Sequence, residues 1–320
     1  IRGDDDVRTK QILKVAGISL IGVAASLGIS SLVSYQKGIK TTKSQKRRAI
    51  QNAHKNDKTL DSYDWYKQLI KQTWFIRAED GIHLAAIYLS NNSDKTVILA
   101  HGYHNVHDQM IPYAKLFMDL GYNVLMPDAR GHGVSDGHII GFGWLDRRDY
   151  IKWIEEVNKR SKIRQEIVLF GVSMGAATVL ATAGEADLPK NVDAVIEDSG
   201  FSSAQKEFSY RLGHHYFLPP FLSVFVSLMT RVTGGYSLKE ADIAQQAANI
   251  SIPVLMIHGD ADRYVPVEMM AEIKSSLAKQ LPKESHRVHG ADHVQSRSAD
   301  PKKYQQTIED FLKQWVDKTK

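Results

Sequence analysis

The stretch that decides the fold is Glu166-Ile167-Val168-Leu169-Phe170-Gly171-Val172-Ser173-Met174-Gly175-Ala176-Ala177. Its four consecutive apolar residues predict a buried strand, and the alanine-rich residues after Gly175 predict a helix. Between them lies Gly-x-Ser-x-Gly, the pattern of a serine on a sharp strand-to-helix turn. The two glycines suit that turn because the backbones on either side must approach closely while the hydroxyl stays exposed. The helix start behind Ser173 would turn free N–H groups and the positive end of a dipole toward a developing oxyanion.

Further strands are expected on both sides of this segment. An amphipathic helix over Leu60–Thr73 leads into Trp74–Arg77 and Ile82–Tyr88, which Glu79-Asp80-Gly81 joins as a hairpin. Val97–Ala100, Asn123–Pro127, Val192–Ile196 and Val254–Ile257 are short apolar runs that read as buried strands. Helical spacing appears over Asp146–Lys159 and again near the C-terminus, where Tyr304, Ile308, Phe311, Leu312 and Trp315 share a face. A hairpin followed by alternating strands and helices predicts an α/β fold with a mostly parallel central sheet and helices on both faces. Polar residues gather where such a sheet binds ligands, at the strand ends: His101-Gly102, Asp128, Ser173, Asp198, Asp260, Asp262 and His293.

Composition narrows the class. The chain has 320 residues, 43% hydrophobic and 24% charged, which suits one large core and not a disordered chain. It has no cysteine, so disulfides and thiolate metal sites are excluded. The net charge of +5 is local: Lys37–Lys58 carries +7, the first fourteen residues +1, and the remainder sums to −3. A basic patch on a slightly acidic body gives no reason to expect nucleic acid as a partner.

Val15 to Gln36 contains no charged residue. As a helix it would extend roughly 33 Å, the length of a bilayer core. Three readings follow: a transmembrane anchor, a cleaved signal peptide, or a packed soluble helix. Six basic residues in Lys37–Arg48 against four before the span favour a cytoplasmic C-terminal flank, whereas a short tail before a large domain favours export. The expectation adopted is an anchored protein with an extracellular domain, a cytoplasm-facing domain being the alternative. The expected division is a tail and candidate anchor at 1–36, a basic linker and lead-in helix at 37–73, a core at 74–200 and 250–320, and an insertion at 201–249.

From the Ser173 turn onward, over about residues 74–317, the chain resembles the α/β-hydrolase superfamily, in particular membrane-anchored bacterial cell-surface hydrolases of the serine-esterase and aminopeptidase-like type. Ala100-His101-Gly102-Tyr103 is similar to the strand-ending His-Gly segment of that family, which implies that the Tyr103 N–H is one oxyanion donor and the Met174 N–H the other. His258-Gly259-Asp260-Ala261-Asp262-Arg263-Tyr264-Val265-Pro266 looks like the segment holding the family's triad acid, and its spacing selects Asp262 over Asp260. Asp198 is the alternative acid. Gly290-Ala291-Asp292-His293 resembles the segment of the base. The implied triad is Ser173, Asp262 and His293, in the chain order of this superfamily. Asp128–Gly137 is similar to the turn after the fourth strand and reads as structural, held by Arg130 and Asp136. His258 and His289 read as structural too.

Phe201–Asn249 is too long for a simple crossover and resembles the family's small helical cap. Its aromatic run makes Tyr216, Phe217 and Phe221 candidates for the substrate pocket. His214-His215 lacks a third ligand pattern, so no metal and no cofactor are expected. The resulting expectation is a carboxylesterase-like or lipase-like serine hydrolase acting on a small acyl substrate through an acyl-enzyme. A peptidase or amidase, an acyltransferase or perhydrolase, and a surface binding module without turnover are the alternatives. The sequence does not specify an oligomeric state.

Overall fold

The computed structural model describes residues 26–53 and 60–317. Eight strands form one sheet: β1 (Gln72–Arg77), β2 (His83–Leu89), β3 (Lys95–Ala100), β4 (Asn123–Pro127), β5 (Glu166–Val172), β6 (Val192–Asp198), β7 (Val254–Gly259) and β8 (Lys283–Val288). Their spatial order is β1-β2-β4-β3-β5-β6-β7-β8. β1 and β2 form the expected antiparallel hairpin, β2 also runs antiparallel to β4, and every later pair is parallel.

The apolar runs are continuous because both faces of the sheet are covered. Alternate residues of β5 go to opposite cores, Ile167 and Leu169 to one, Val168, Phe170 and Val172 to the other. One face packs α5 (Asp146–Arg160) and α6 (Met174–Ala183); the other packs α3 (Leu60–Gln68), α4 (Ile111–Asp119) and α12 (Pro301–Trp315). β8 was not expected from the sequence. It lies at the sheet edge with mixed polar residues, all half-buried except the exposed Arg287, so it lacks the apolar run that marks the central strands.

Two helices precede the domain proper, α1 over residues 26–38 and α2 (Lys43–Ala53). The uncharged stretch Val15–Gln36 therefore divides. Its first part, to residue 25, lies outside the described residues. Its second part is in α1, where Ser31 and Tyr35 are buried against the domain. Among the described residues no helix is long and apolar enough to cross a membrane.

The segment between β6 and β7 holds α7 (Ala204–His214), α8 (Leu222–Gly234) and the short α9 (Ile243–Ala247). Downstream, α10 (Glu268–Ser276) and α11 (Ser296–Ala299) complete the helices.

Candidate active site

Ser173 stands between β5 and α6 with φ 55° and ψ −119°, a backbone conformation that costs free energy in any residue but glycine and recurs at functional turns. The glycines make it sterically possible. A Cβ on Gly171 would come 2.2 Å from the Gly175 carbonyl oxygen, and one on Gly175 would come 2.0 Å from the Ala100 carbonyl oxygen. Both contacts are far inside van der Waals range, so only glycine fits either position.

Three side chains converge here from three separate segments. His293 Nε2 is 2.8 Å from Ser173 Oγ, and His293 Nδ1 is 2.8 Å from Asp262 Oδ2. A carboxylate only accepts, so Nδ1 carries the proton toward Asp262 and Nε2 is left to accept from the serine hydroxyl. Asp262 Oδ1 accepts from the backbone N–H groups of Tyr264 and Val265 at 2.8 and 2.9 Å. Burial works against its charge, yet hydrogen bonds from His258 and His293 hold its carboxyl well below the usual carboxylate range. Asp262 is thus an anion when His293 needs one.

The other acid candidates are engaged elsewhere. Asp198 accepts from Tyr304 Oη at 2.8 Å and from Ser199 Oγ at 2.9 Å, buried beneath the site. Asp260 holds His289 and the Gly290 N–H in an exposed loop, and Asp292 holds Arg263. Arg130 secures the turn after β4 through a two-pronged pair to Asp149 and a contact to Asp80, and the Asp136 carbonyl accepts the Gly131 N–H while its side chain takes His83.

Met174 opens α6, where the first N–H groups have no partner within a helix. The loop after β3 passes directly over the serine: a Cβ on Gly102 would touch Ser173 Cβ at 3.4 Å. This places the Tyr103 backbone beside the nucleophile. The loop is fastened by Gln109, whose Oε1 accepts the Gly102 N–H at 2.8 Å. His101 fastens it too, with Nδ1 on the Gly102 carbonyl at 2.8 Å and Nε2 accepting the Ala129 N–H at 3.0 Å. His132 Nε2 accepts the His104 N–H at 3.2 Å, and its Nδ1 donates to the Arg130 carbonyl at 2.9 Å. Burial keeps both rings neutral, lowering the pKa of His101 and taking that of His132 down to about 3.

Of the three candidate pocket aromatics, Tyr216 alone lines the cavity beside this loop. That cavity has a volume of about 230 Å³ and is walled by Tyr103, Phe208, Arg211, Leu212 and also Val33 of α1. Phe217 and Phe221 point to solvent, 88% and 51% exposed, because Leu222 and Val226 take the inward face of α8. Sequence reasoning missed Gln109, Tyr264 and Arg211. Tyr264 stacks on His293 with ring centroids 4.8 Å apart, and the Arg211 guanidinium sits 4.0 Å over Tyr264. Glu207, one turn before Arg211 on α7, is buried with neither carboxyl oxygen hydrogen-bonded, and burial pushes its pKa up to about 8. Among the described residues no cluster of histidine and carboxylate side chains is arranged to hold a metal ion.

Comparison with known proteins gives the family and the fold. A family model described as Hydrolase_4, serine aminopeptidase, S33, matches residues 91–242. YfhR of Escherichia coli O157:H7 is 32% identical over 71% of this chain and 70% of its own length. The chain belongs to the α/β-hydrolase superfamily. YqkD of Bacillus subtilis extends the likeness to 97% of this chain and 99% of its own, at 29% identity. An esterase from Pyrococcus furiosus superposes with a TM-score of 0.64 and 25% identity, over 78% of this chain and 92% of its own. Within this α/β hydrolase, a serine hydroxyl, an imidazole and a carboxylate form one hydrogen-bonded line at Ser173. His293 is placed to take the hydroxyl proton of Ser173.

Proposed function

We propose that this α/β hydrolase is a serine esterase that cleaves a small acyl ester through a covalent acyl-enzyme. The observation that carries the reading is the continuous hydrogen-bonded line Ser173–His293–Asp262, with the serine on its strained turn. Ser173 Oγ attacks the ester carbonyl as His293 Nε2 takes its proton. The Tyr103 and Met174 N–H groups hold the oxyanion. Collapse of the tetrahedral adduct breaks the bond to the leaving alcohol, which receives the proton from His293. Water then attacks the acyl-serine with His293 again as base, releasing the acid and restoring the hydroxyl. The 201–249 segment acts as a cap over this site, and Tyr216 contributes to its pocket. The uncharged Val15–Ala25 that leads into α1 supports a location at a membrane, the domain lying outside the cell in this reading.

Fluorophosphonate should label the wild-type chain and leave Ser173→Ala unlabelled; equal labelling of both would remove Ser173 from the mechanism. His293→Ala should abolish hydrolysis of p-nitrophenyl butyrate. A peptidase reading draws on the description of the matching family model. Aminoacyl p-nitroanilides decide between the two, since their preferential cleavage over esters would replace the esterase reading.

A further inference from the structure

The outer face of α8 carries a stripe of large apolar residues at helical spacing: Phe221, Val224, Phe225, Leu228 and Val232. Its inner face is mixed, with Leu222 and Val226 in the core and Ser223, Ser227 and Thr230 buried beside them. A helix of an ordinary soluble surface shows one apolar stripe and one polar one. In α8 the outer face is the more apolar of the two, and it is open: Val224 and Leu228 are each 62% exposed and Val232 78%. Exposed apolar residues scattered singly need no account, whereas a contiguous face marks something it meets.

The face continues onto α1. Tyr35 of α1 and Thr233 of α8 are in hydroxyl contact, so the two helices lie side by side. α1 exposes Ile29, Leu32 and Val33. Val33 and Tyr216 line the same cavity beside the Tyr103 loop, so the cavity lies where the two apolar surfaces meet. The chain that leads into α1, Val15–Ala25, is itself uncharged.

Charge identifies the occupant. Residues 26–53 contain six basic side chains and no acidic one, whereas Arg231 of α8 is paired with Glu240. A second copy of this surface would bring these cations against one another. A bilayer with anionic headgroups would instead take the apolar side chains into its acyl boundary and the lysines and arginines at its phosphates. We infer that the outer face of α8, together with the exposed side of α1, lies on an anionic lipid surface and opens the cavity at the Tyr103 loop toward it. The inference deepens the esterase reading, since an acyl ester dissolved in that surface would reach the site without crossing water, but the contact itself does not depend on that reading.

The test uses the full chain in phosphatidylcholine/phosphatidylglycerol vesicles. Because the protein has no cysteine, single fluorescent labels can be placed by Val224→Cys, Leu228→Cys and, as a control on the opposite side of the sheet, Gln305→Cys in α12. The labels at 224 and 228 should be quenched by nitroxide on the lipid acyl chains and shielded from aqueous iodide by at least about threefold relative to 305. Iodide access equal to that at 305 would overturn the inference. Shielding without lipid quenching would overturn it too, and would identify a protein cover: a second copy if it fades on dilution in lipid, the chain's own residues if it does not. Fluorophosphonate labelling of Ser173 on the same samples reports separately on the esterase reading.

Discussion

At the scale of single residues, Asp262 is the hinge of the site because it serves two histidines. Its Oδ2 meets His293 Nδ1 at 2.8 Å and His258 Nε2 at 3.2 Å, and His258 also meets the Val265 carbonyl at 3.0 Å. His258 is fully buried, and although burial opposes its charge, the hydrogen bond to Asp262 and the nearby Glu197 raise its pKa. His258 is therefore a positioning residue that holds the same Oδ2 on which His293 Nδ1 rests. Asp262→Asn should lower kcat by about 10⁴, since an amide nitrogen facing Nδ1 favours the wrong tautomer. His258→Phe should act more mildly. It removes one charged hydrogen bond, for a stability loss of about 1–3 kcal/mol. Turnover of p-nitrophenyl butyrate should fall while Ser173 labelling persists. If His258→Phe loses stability but keeps kcat, its role is in the fold alone.

At the scale of elements, the β5–Ser173–α6 turn is the part with least freedom. Gly175→Ala would drive a methyl against the Ala100 carbonyl of the neighbouring strand, a backbone atom that cannot swing away. It should lower Tm by several degrees and remove fluorophosphonate labelling together; normal labelling in Gly175→Ala would show the turn to be more pliant than this packing. This element was legible from the sequence because several rules agree on one stretch: an apolar run, two glycines, a serine between them and a helix former behind. The central strands were legible for the same reason, being buried on both faces. β8 was not, because an edge strand half covered by helices needs no apolar run. Nor were the contacts of Gln109 and Arg211, which arise between segments distant in the chain and leave no local spacing. The aromatic run 216–226 was seen, but pattern alone did not tell which side faces the cavity. Leu222 and Val226 won the inward positions over Phe221, leaving Tyr216 as the one aromatic of that run at the pocket.

At the scale of the whole molecule, buried titratable groups of opposite kind set the range of pH in which the fold is stable. His132 and His101 are held neutral by burial, so the unfolded chain binds protons more strongly than the native one below the ordinary histidine value of 6.5. For His132, stability should fall as pH drops from about 6.5 toward 3. Asp128 and Asp262 act in the same direction at lower pH. Burial opposes their charge, but hydrogen bonds from His107 and from the two histidines at Asp262 keep them ionised until strong acid. Glu207 runs the other way. Burial raises its pKa from 4.5 to about 8, so the native state keeps a proton that the unfolded chain gives up, and stability falls as pH rises through that interval. Glu197, raised by burial to about 7, adds to this alkaline limb. The two sets oppose one another between the ordinary values of 4.5 and 6.5, and Asp149, raised by burial to about 7, adds to the alkaline side. Each group contributes a limiting slope of about 1.4 kcal/mol per pH unit within its own interval. Two variants separate the limbs when Tm is measured from pH 4 to pH 9. Glu207→Gln should make the fall above pH 6.5 shallower and strengthen the rise between 4.5 and 6.5, where it no longer opposes His132, whereas His132→Asn should weaken that rise and leave the fall above 6.5 unchanged. An alkaline limb as steep in Glu207→Gln as in the wild type would mean that Glu207 is ionised in the folded protein, paired with Arg211 four residues along α7.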